Sequence, residues 1–231
     1  MPLSTAAPGS VLFGGTTFDA VLFDMDGTLI SSLASVMRSW TRLAHEFAID
    51  DVRVREFRFH GVPARDIVDT LLAAREPEER ARALRRIVEL EVTDTGDIEV
   101  LPGAAEALAA LAGTGRSAIV TSCDRTLASA RLAATGLAVP EVVVTADDVA
   151  RGKPDPEPYV LGAQRLGVDP ARCLVVEDAA AGLDSGRDAG AATLALATQS
   201  HGDALTADVV VPDLGAVRFE VSGAGVRVLA A

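Results

Sequence analysis

Two carboxylates two residues apart, Asp24 and Asp26, stand in the stretch Asp24-Met25-Asp26-Gly27-Thr28, directly after the apolar run Ala20, Val21, Leu22, Phe23. Like charges that close resist joint ionisation unless a cation or a shared proton compensates, which suits the pair to metal binding or acid–base work. A carboxylate can also attack phosphorus, and the resulting aspartyl-phosphate splits one difficult hydrolysis into two easier steps. Asp-Gly alone is equally an ordinary turn after a strand. The chemical reading therefore depends on the groups that the rest of the chain can bring to the pair.

Three such groups are present, each near the end of a strand-like run. The run from Ser117 to Val120 leads into Thr121-Ser122-Cys123, where the Ser122 hydroxyl and the next backbone N–H suit a phosphoryl oxygen. The chain has twenty arginines and a single lysine, Lys153, in Arg151-Gly152-Lys153-Pro154-Asp155-Pro156-Glu157-Pro158. A compact ammonium can neutralise a phosphate and an aspartate together, where a planar guanidinium imposes its own fork. The run from Arg172 to Val176 ends in Glu177-Asp178, which offers hard oxygen ligands for Mg2+. Singly these are weak signals, since Glu-Asp is commonly a solvated turn. In order, Asp-x-Asp, Ser, Lys and Glu-Asp form a phosphoryl-transfer constellation.

Elements that could position these groups are legible in the hydrophobic pattern. Leu33, Val36, Met37, Trp40, Leu43, Ala44 and Phe47 fall on one helical face, and further helical patterns run from Ala64 to Arg75 and from Pro77 to Val92. From Pro102 onward, helices and continuous apolar strands alternate, as expected of an α/β, Rossmann-like, doubly wound parallel sheet covered on both faces. In such sheets ligands bind beyond the carboxyl ends of the strands, where all four groups lie. The pattern divides the chain into a loose arm at 1–17, a core at 18–30 and 100–231, and an inserted helical cap at 31–99. Val217, Phe219 and Val221, then Val226 and Val228 across Ser222-Gly223-Ala224-Gly225, predict a terminal hairpin.

Composition narrows the partners. A formal charge of -12 argues against nucleic acid or an anionic membrane surface. Within 51–92, nine acidic residues balance nine arginines, so the excess negative charge lies elsewhere. No run reaches the roughly 20 apolar residues of a membrane helix, and the amino terminus lacks a signal-peptide pattern, so a cytoplasmic protein is expected. Cys123 and Cys173 are too few for a disulfide framework and read as small residues in a reducing compartment, with Cys123 offering its backbone N–H.

From Phe18 to about Val211 the chain resembles the haloacid dehalogenase superfamily of phosphohydrolases, in motif order and spacing. It looks most like the sugar-phosphate and polyol-phosphate phosphatases, the 2-deoxyglucose-6-phosphatase and glycerol-phosphatase group. That finer likeness is carried by His60-Gly61, by Gly152-Lys153-Pro154-Asp155-Pro156-Glu157-Pro158-Tyr159 and by Val176-Glu177-Asp178-Ala179-Ala180-Ala181-Gly182. The resemblance implies a Mg2+-dependent phosphatase acting on a small phosphomonoester, as monomer or homodimer. It implies Asp24 as nucleophile and Asp26 as general acid and base. Thr121, Ser122, Cys123 and Lys153 would hold the phosphate, and Lys153 would also hold Asp24. The cation would be bound by Asp24, the Asp26 main-chain carbonyl and Asp178, with Glu177 behind them. His60, Gly61 and Arg65 are the candidates for substrate selection.

Other chemistries of the superfamily fit less well. A dehalogenase lacks the second Asp, and the phosphonate hydrolases use a cap lysine that is missing here. The beta-phosphoglucomutases carry a hinge histidine where Val36 aligns, and a cap lysine. A sugar phosphomutase remains the first alternative and a non-catalytic phosphate-binding module the second. Ser31 stands where many relatives have Asp, which bears on the hinge and the leaving-group contacts.

Overall fold

The computed structural model describes residues 7–57, 59, 62–199 and 205–231; of the cap candidates, His60 and Gly61 lie outside the described residues. Along the chain run β1 (Ala20–Phe23), β2 (Ile30–Ser31), α1 (Leu33–Phe47), α2 (Asp51–Glu56), α3 (Ala64–Leu71), α4 (Pro77–Thr93) and β3 (Glu99–Val100). Next come α5 (Ala104–Leu111), β4 (Ser117–Val120), α6 (Arg125–Thr135), β5 (Val142–Val144), α7 (Glu157–Leu166), β6 (Cys173–Glu177) and α8 (Ala180–Asp188). The chain closes with β7 (Ala192–Leu196), β8 (Val209–Val211), β9 (Val217–Ser222) and β10 (Gly225–Ala230).

Six strands form one sheet in the order β5-β4-β1-β6-β7-β8, with every neighbouring pair parallel. Successive strand residues point to opposite faces. Val21 and Phe23 join Ile119, Leu174 and Val176 in one apolar core, while Ala20 and Leu22 join Val120, Val175 and Tyr159 in the other. Both faces are therefore buried, which is why β1, β4 and β6 read as unbroken apolar runs. The first core is closed by α5 and by the β9–β10 hairpin, whose Phe219 ring meets Phe23 edge-on at 5.7 Å between centroids.

Helices α1 to α4 bury a separate cluster that includes Trp40, Leu43, Ile67, Leu71, Ile87 and Leu90. The chain enters and leaves this helical layer through β2 and β3, antiparallel neighbours at Ile30–Val100 and Ser31–Glu99. The third helix stops at Leu71, short of the expected Arg75, because the chain must reach Pro77 in an extended approach; Glu76 has φ -62° and ψ 149°. The described part of the expected loose arm is tied down. Gly9 N donates to Ala230 O and Leu12 N to Val228 O, both at 2.9 Å, and Phe13 stacks edge-on against Phe18. Backbone pairing, which small and polar side chains do not advertise, is the physical reason for that correction. Among the described residues, no helix is long and apolar enough to cross a membrane.

Candidate active site

The parallel sheet delivers its functional side chains at one edge. Asp24 follows β1, Thr121 and Ser122 follow β4, Glu177 ends β6 and Asp178 follows it. Asp24 sits where its amide is already used, donating to Val176 O at 2.9 Å and so registering β1 against β6. From the loop before α7, Lys153 reaches into this edge and is almost wholly buried. Its ammonium donates to Asp24 Oδ1 at 2.6 Å, Glu177 Oε1 at 2.8 Å and Val120 O at 2.9 Å. An ammonium has three protons and all three are placed, which accounts for a lysine where the chain otherwise uses arginine. The ammonium also lies 4.9 Å from the centre of the Tyr159 ring.

Glu177 is saturated. Oε1 accepts from Lys153 and from the Tyr159 hydroxyl at 3.1 Å, and Oε2 accepts from the amides of Asp178 and Ala179 at 2.9 Å each. It therefore orients its neighbours through four hydrogen bonds. Gly182 belongs to the same construction: a Cβ there would overlap the Glu177 carboxylate, so α8 can seat over β6 only with glycine. Gly27 does the equivalent for Asp178. With φ 93° it turns the loop after β1, and a Cβ would overlap the Asp178 carboxylate.

Asp24, Glu177 and Asp178 bring carboxylate oxygens within 4.8 Å of one another, all buried. Burial first, then the Glu177 charge, pushes Asp24 up to about 7 against the pull of Lys153. Asp178 is raised well above the carboxylate range by burial, then by Glu177 and Asp24. Burial by itself would lower Lys153, but the flanking Asp24 and Glu177 carboxylates outweigh it and raise the group. Asp178 Oδ2 is buried with no hydrogen-bond partner. An orphaned oxygen beside a second carboxylate that resists ionisation is the donor set of a hard divalent cation, and the residues present fit one.

Asp26 lies beside this cluster and is held separately. Its Oδ1 accepts from Ser32 Oγ at 2.6 Å and from Arg131 Nη1 at 2.8 Å, while Cys123 Sγ approaches Oδ2 at 3.3 Å. Ser122 Oγ is buried, lines the cleft and has no partner. The Cys123 amide, expected to face a phosphoryl oxygen, instead donates to Thr121 Oγ1 at 3.1 Å. A threonine hydroxyl closing a turn on the amide two residues ahead is the local competitor that takes this donor.

A cleft of about 660 Å³ opens over these groups. Its opposite wall comes from the helical layer: Val36, Trp40, Ile67, Leu84 and Val88, with Arg65 and Arg85. Arg65 is exposed on α3. Trp40 is 1% exposed, packs on Phe59 at 5.3 Å and donates from Nε1 to Glu91 Oε1 at 3.2 Å, so it is a core residue with one face on the cleft.

Two buried charges were not anticipated, Glu91 and Arg131. On α4 the buried positions are Ala83, Ile87, Leu90 and Glu91, and on α6 they are Leu127, Ala128, Arg131 and Leu132. Each charge stands on the apolar stripe of its helix, which is the signal that could have found it.

Three comparisons place the chain among known proteins. A family model described as haloacid dehalogenase-like hydrolase matches residues 18–190. Hexitol phosphatase A of Escherichia coli (strain K12) is 43% identical over 176 residues, spanning 76% of this chain and 81% of that protein. Validoxylamine A 7'-phosphate phosphatase of Streptomyces hygroscopicus subsp. limoneus is 35% identical over 218 residues, spanning 87% and 97% respectively. A solved structure of a hydrolase from Pseudomonas syringae superposes with a TM-score of 0.75 at 26% identity, covering 85% of this chain and 94% of that one.

Proposed function

Because this chain belongs to the haloacid dehalogenase-like hydrolases, as a phosphoric monoester hydrolase, we propose that it releases phosphate from a small sugar or polyol phosphate through an aspartyl-phosphate on Asp24. The observation that carries this reading is the Lys153 ammonium joining Asp24 to Glu177, with two unpartnered buried oxygens, Ser122 Oγ and Asp178 Oδ2, close by. A dianionic phosphoryl group and a cation are the species that complete such a set.

In the first step a carboxylate oxygen of Asp24 forms a bond to phosphorus as the bond to the ester oxygen breaks. Asp26 gives its proton to the departing alkoxide. In the second step Asp26 takes a proton from water, the water oxygen attacks phosphorus, and the bond from Asp24 to phosphorus breaks to free inorganic phosphate. Lys153 favours the ionised form of Asp24 against its burial and turns it toward the phosphoryl group, and Ser122 donates to a phosphoryl oxygen. Mg2+ would be held by Asp24, Asp178 and the Asp26 carbonyl, and when bound it supplies positive charge against the phosphoryl oxygens. Helices α1, α3 and α4 act as a cap that closes over the leaving group and keeps bulk water out.

The cap wall is mostly apolar and the cleft holds about 660 Å³, which suits a phosphorylated compound of sugar size selected more by shape than by a dense hydrogen-bond set. A panel of sugar, hexitol and polyol phosphates, scored by kcat/KM with and without Mg2+, tests the reading. Phosphate release from members of that panel, abolished by a chelator, is expected. Transfer of phosphate between hydroxyls without release would replace hydrolysis by mutase chemistry.

A further inference from the structure

Arg131 lines the cleft and, together with Ser32, is one of two buried groups that donate to Asp26. It projects from α6 and is 3% exposed. Its Nη1 donates to Asp26 Oδ1 at 2.8 Å and approaches Cys123 Sγ at 3.3 Å, while Nη2 lies 3.6 Å from Glu91 Oε2 on α4. Glu91 is itself 4% exposed and is fixed by the Trp40 indole. One rigid fork thus hydrogen-bonds a carboxylate of the sheet domain with one prong and sets the other within ion-pair range of a carboxylate of the helical layer.

Stability does not account for this arrangement. Taking a guanidinium and its partner carboxylates out of water is costly, and an apolar set of similar volume is often as stable or more so. What the fork does achieve is directional. A carboxylate that must hand over and reclaim a proton needs one oxygen aimed at the reacting ester. Arg131 and Ser32 both donate to Oδ1. That leaves Oδ2, approached by the weak Cys123 thiol donor, as the oxygen that exchanges the proton.

We propose that Arg131 is a positioning residue for Asp26, and that Glu91 makes the alignment depend on α4 being seated against α6. The proposal rests on Asp26 being the proton donor and acceptor of the phosphatase reaction. A lysine cannot substitute, because a single ammonium does not present two coplanar prongs.

The test uses two ester classes. An alkyl phosphate needs its leaving oxygen protonated, whereas a nitrophenyl phosphate expels a stable phenolate and needs little help. In Arg131→Met, kcat on the alkyl ester is expected to fall about 100-fold with KM changed less than about threefold. The first-turnover burst of nitrophenolate is expected to fall less than about tenfold. Arg131→Lys is expected to behave like Arg131→Met. Since Arg131→Met leaves Glu91 buried without its cation, the double variant Arg131→Met/Glu91→Gln supplies a neutral counterpart that keeps the fold, and it is expected to stay defective on the alkyl ester. Equal losses on the two classes, or recovery of alkyl turnover in the double variant, would reduce Arg131 to a counterion for Glu91 and overturn the proposal. Wild-type protein inert toward both classes would instead remove the phosphatase reading on which it stands.

Discussion

The strand-end edge and the helical wall face each other across one cleft and are built on opposite plans. At the edge, Lys153 has all three protons placed and Glu177 has both oxygens doubly used. Across the cleft stand Val36, Leu84 and Val88, with exposed Arg65. A preorganised polar edge acts on the part of the substrate that every phosphomonoester shares. An apolar wall discriminates weakly, since one methylene contributes only about 1–3 kcal/mol to selection. On the proposed reading the contrast assigns reaction and selectivity to separate surfaces, which can be broken independently.

The largest expected effect is at the edge. Asp24→Asn should lower kcat by on the order of 10^4-fold or more, because it removes the proposed attacking group, while thermal unfolding remains cooperative. Residual turnover near the wild-type level in a steady-state phosphate-release assay would eliminate Asp24 as nucleophile. Next comes Gly182→Ala, which adds one methyl group against the Glu177 carboxylate. It should destabilise the protein by about 3 kcal/mol by denaturant titration and also depress kcat, since Glu177 would be pushed from Lys153 and from two amides. A Gly182→Ala protein of unchanged stability and activity would show that the edge is softer than its saturation implies.

The boundary between the two surfaces should appear in pH dependence. Burial pushes Glu91 up to about 7 in spite of Arg131, from an ordinary value of 4.5. Between those values the folded protein keeps a proton that the unfolded chain has released. The contribution is therefore complete below about pH 4.5 and is lost as pH rises through 7, amounting to at most about 3 kcal/mol. Denaturant titrations across this range, with saturating divalent cation to mask Asp24 and Asp178, should show that slope in the wild type and a flatter one in Glu91→Gln. An identical slope in both proteins would assign the effect elsewhere. The smallest expected effect is on the outer helical surface. Arg38 pairs with Asp94 and Asp97 at 2.8 and 2.6 Å, but half of its side chain is exposed. Arg38→Ala should leave both the midpoint of denaturant unfolding and kcat close to those of the wild type, because water screens so exposed a pair.

The same contrast governs how far the amino-acid sequence alone reveals the molecule. The polar edge is legible because its parts are rare residue types placed after strong apolar runs: Asp24, Asp26, Ser122, Lys153, Glu177 and Asp178 all converge as their order suggests. The α/β core is legible because doubly buried strands write themselves as unbroken apolar stretches. The six-residue α2 and the two-residue β2 and β3 are too short to show any period. The anchoring of residues 7–17 combines backbone pairing with the packing of Leu12 and Phe13, and the backbone part leaves little mark in a sequence. Glu91 and Arg131 escape notice because charges on amphipathic helices are ordinarily solvated, and only their position on the apolar stripe distinguishes them.

The antiparallel pairing of Ile30 with Val100 and of Ser31 with Glu99 gives the helical insert a single doorway. Paired residues of this kind have Cα atoms about 5 Å apart, so a foreign insert with matching ends needs only two peptide joins and no rebuilding of the sheet. On the proposed role of the helical layer, such a graft would exchange leaving-group preference as one cassette. It must bring along an acid able to meet Arg131, or that guanidinium is left with one empty prong.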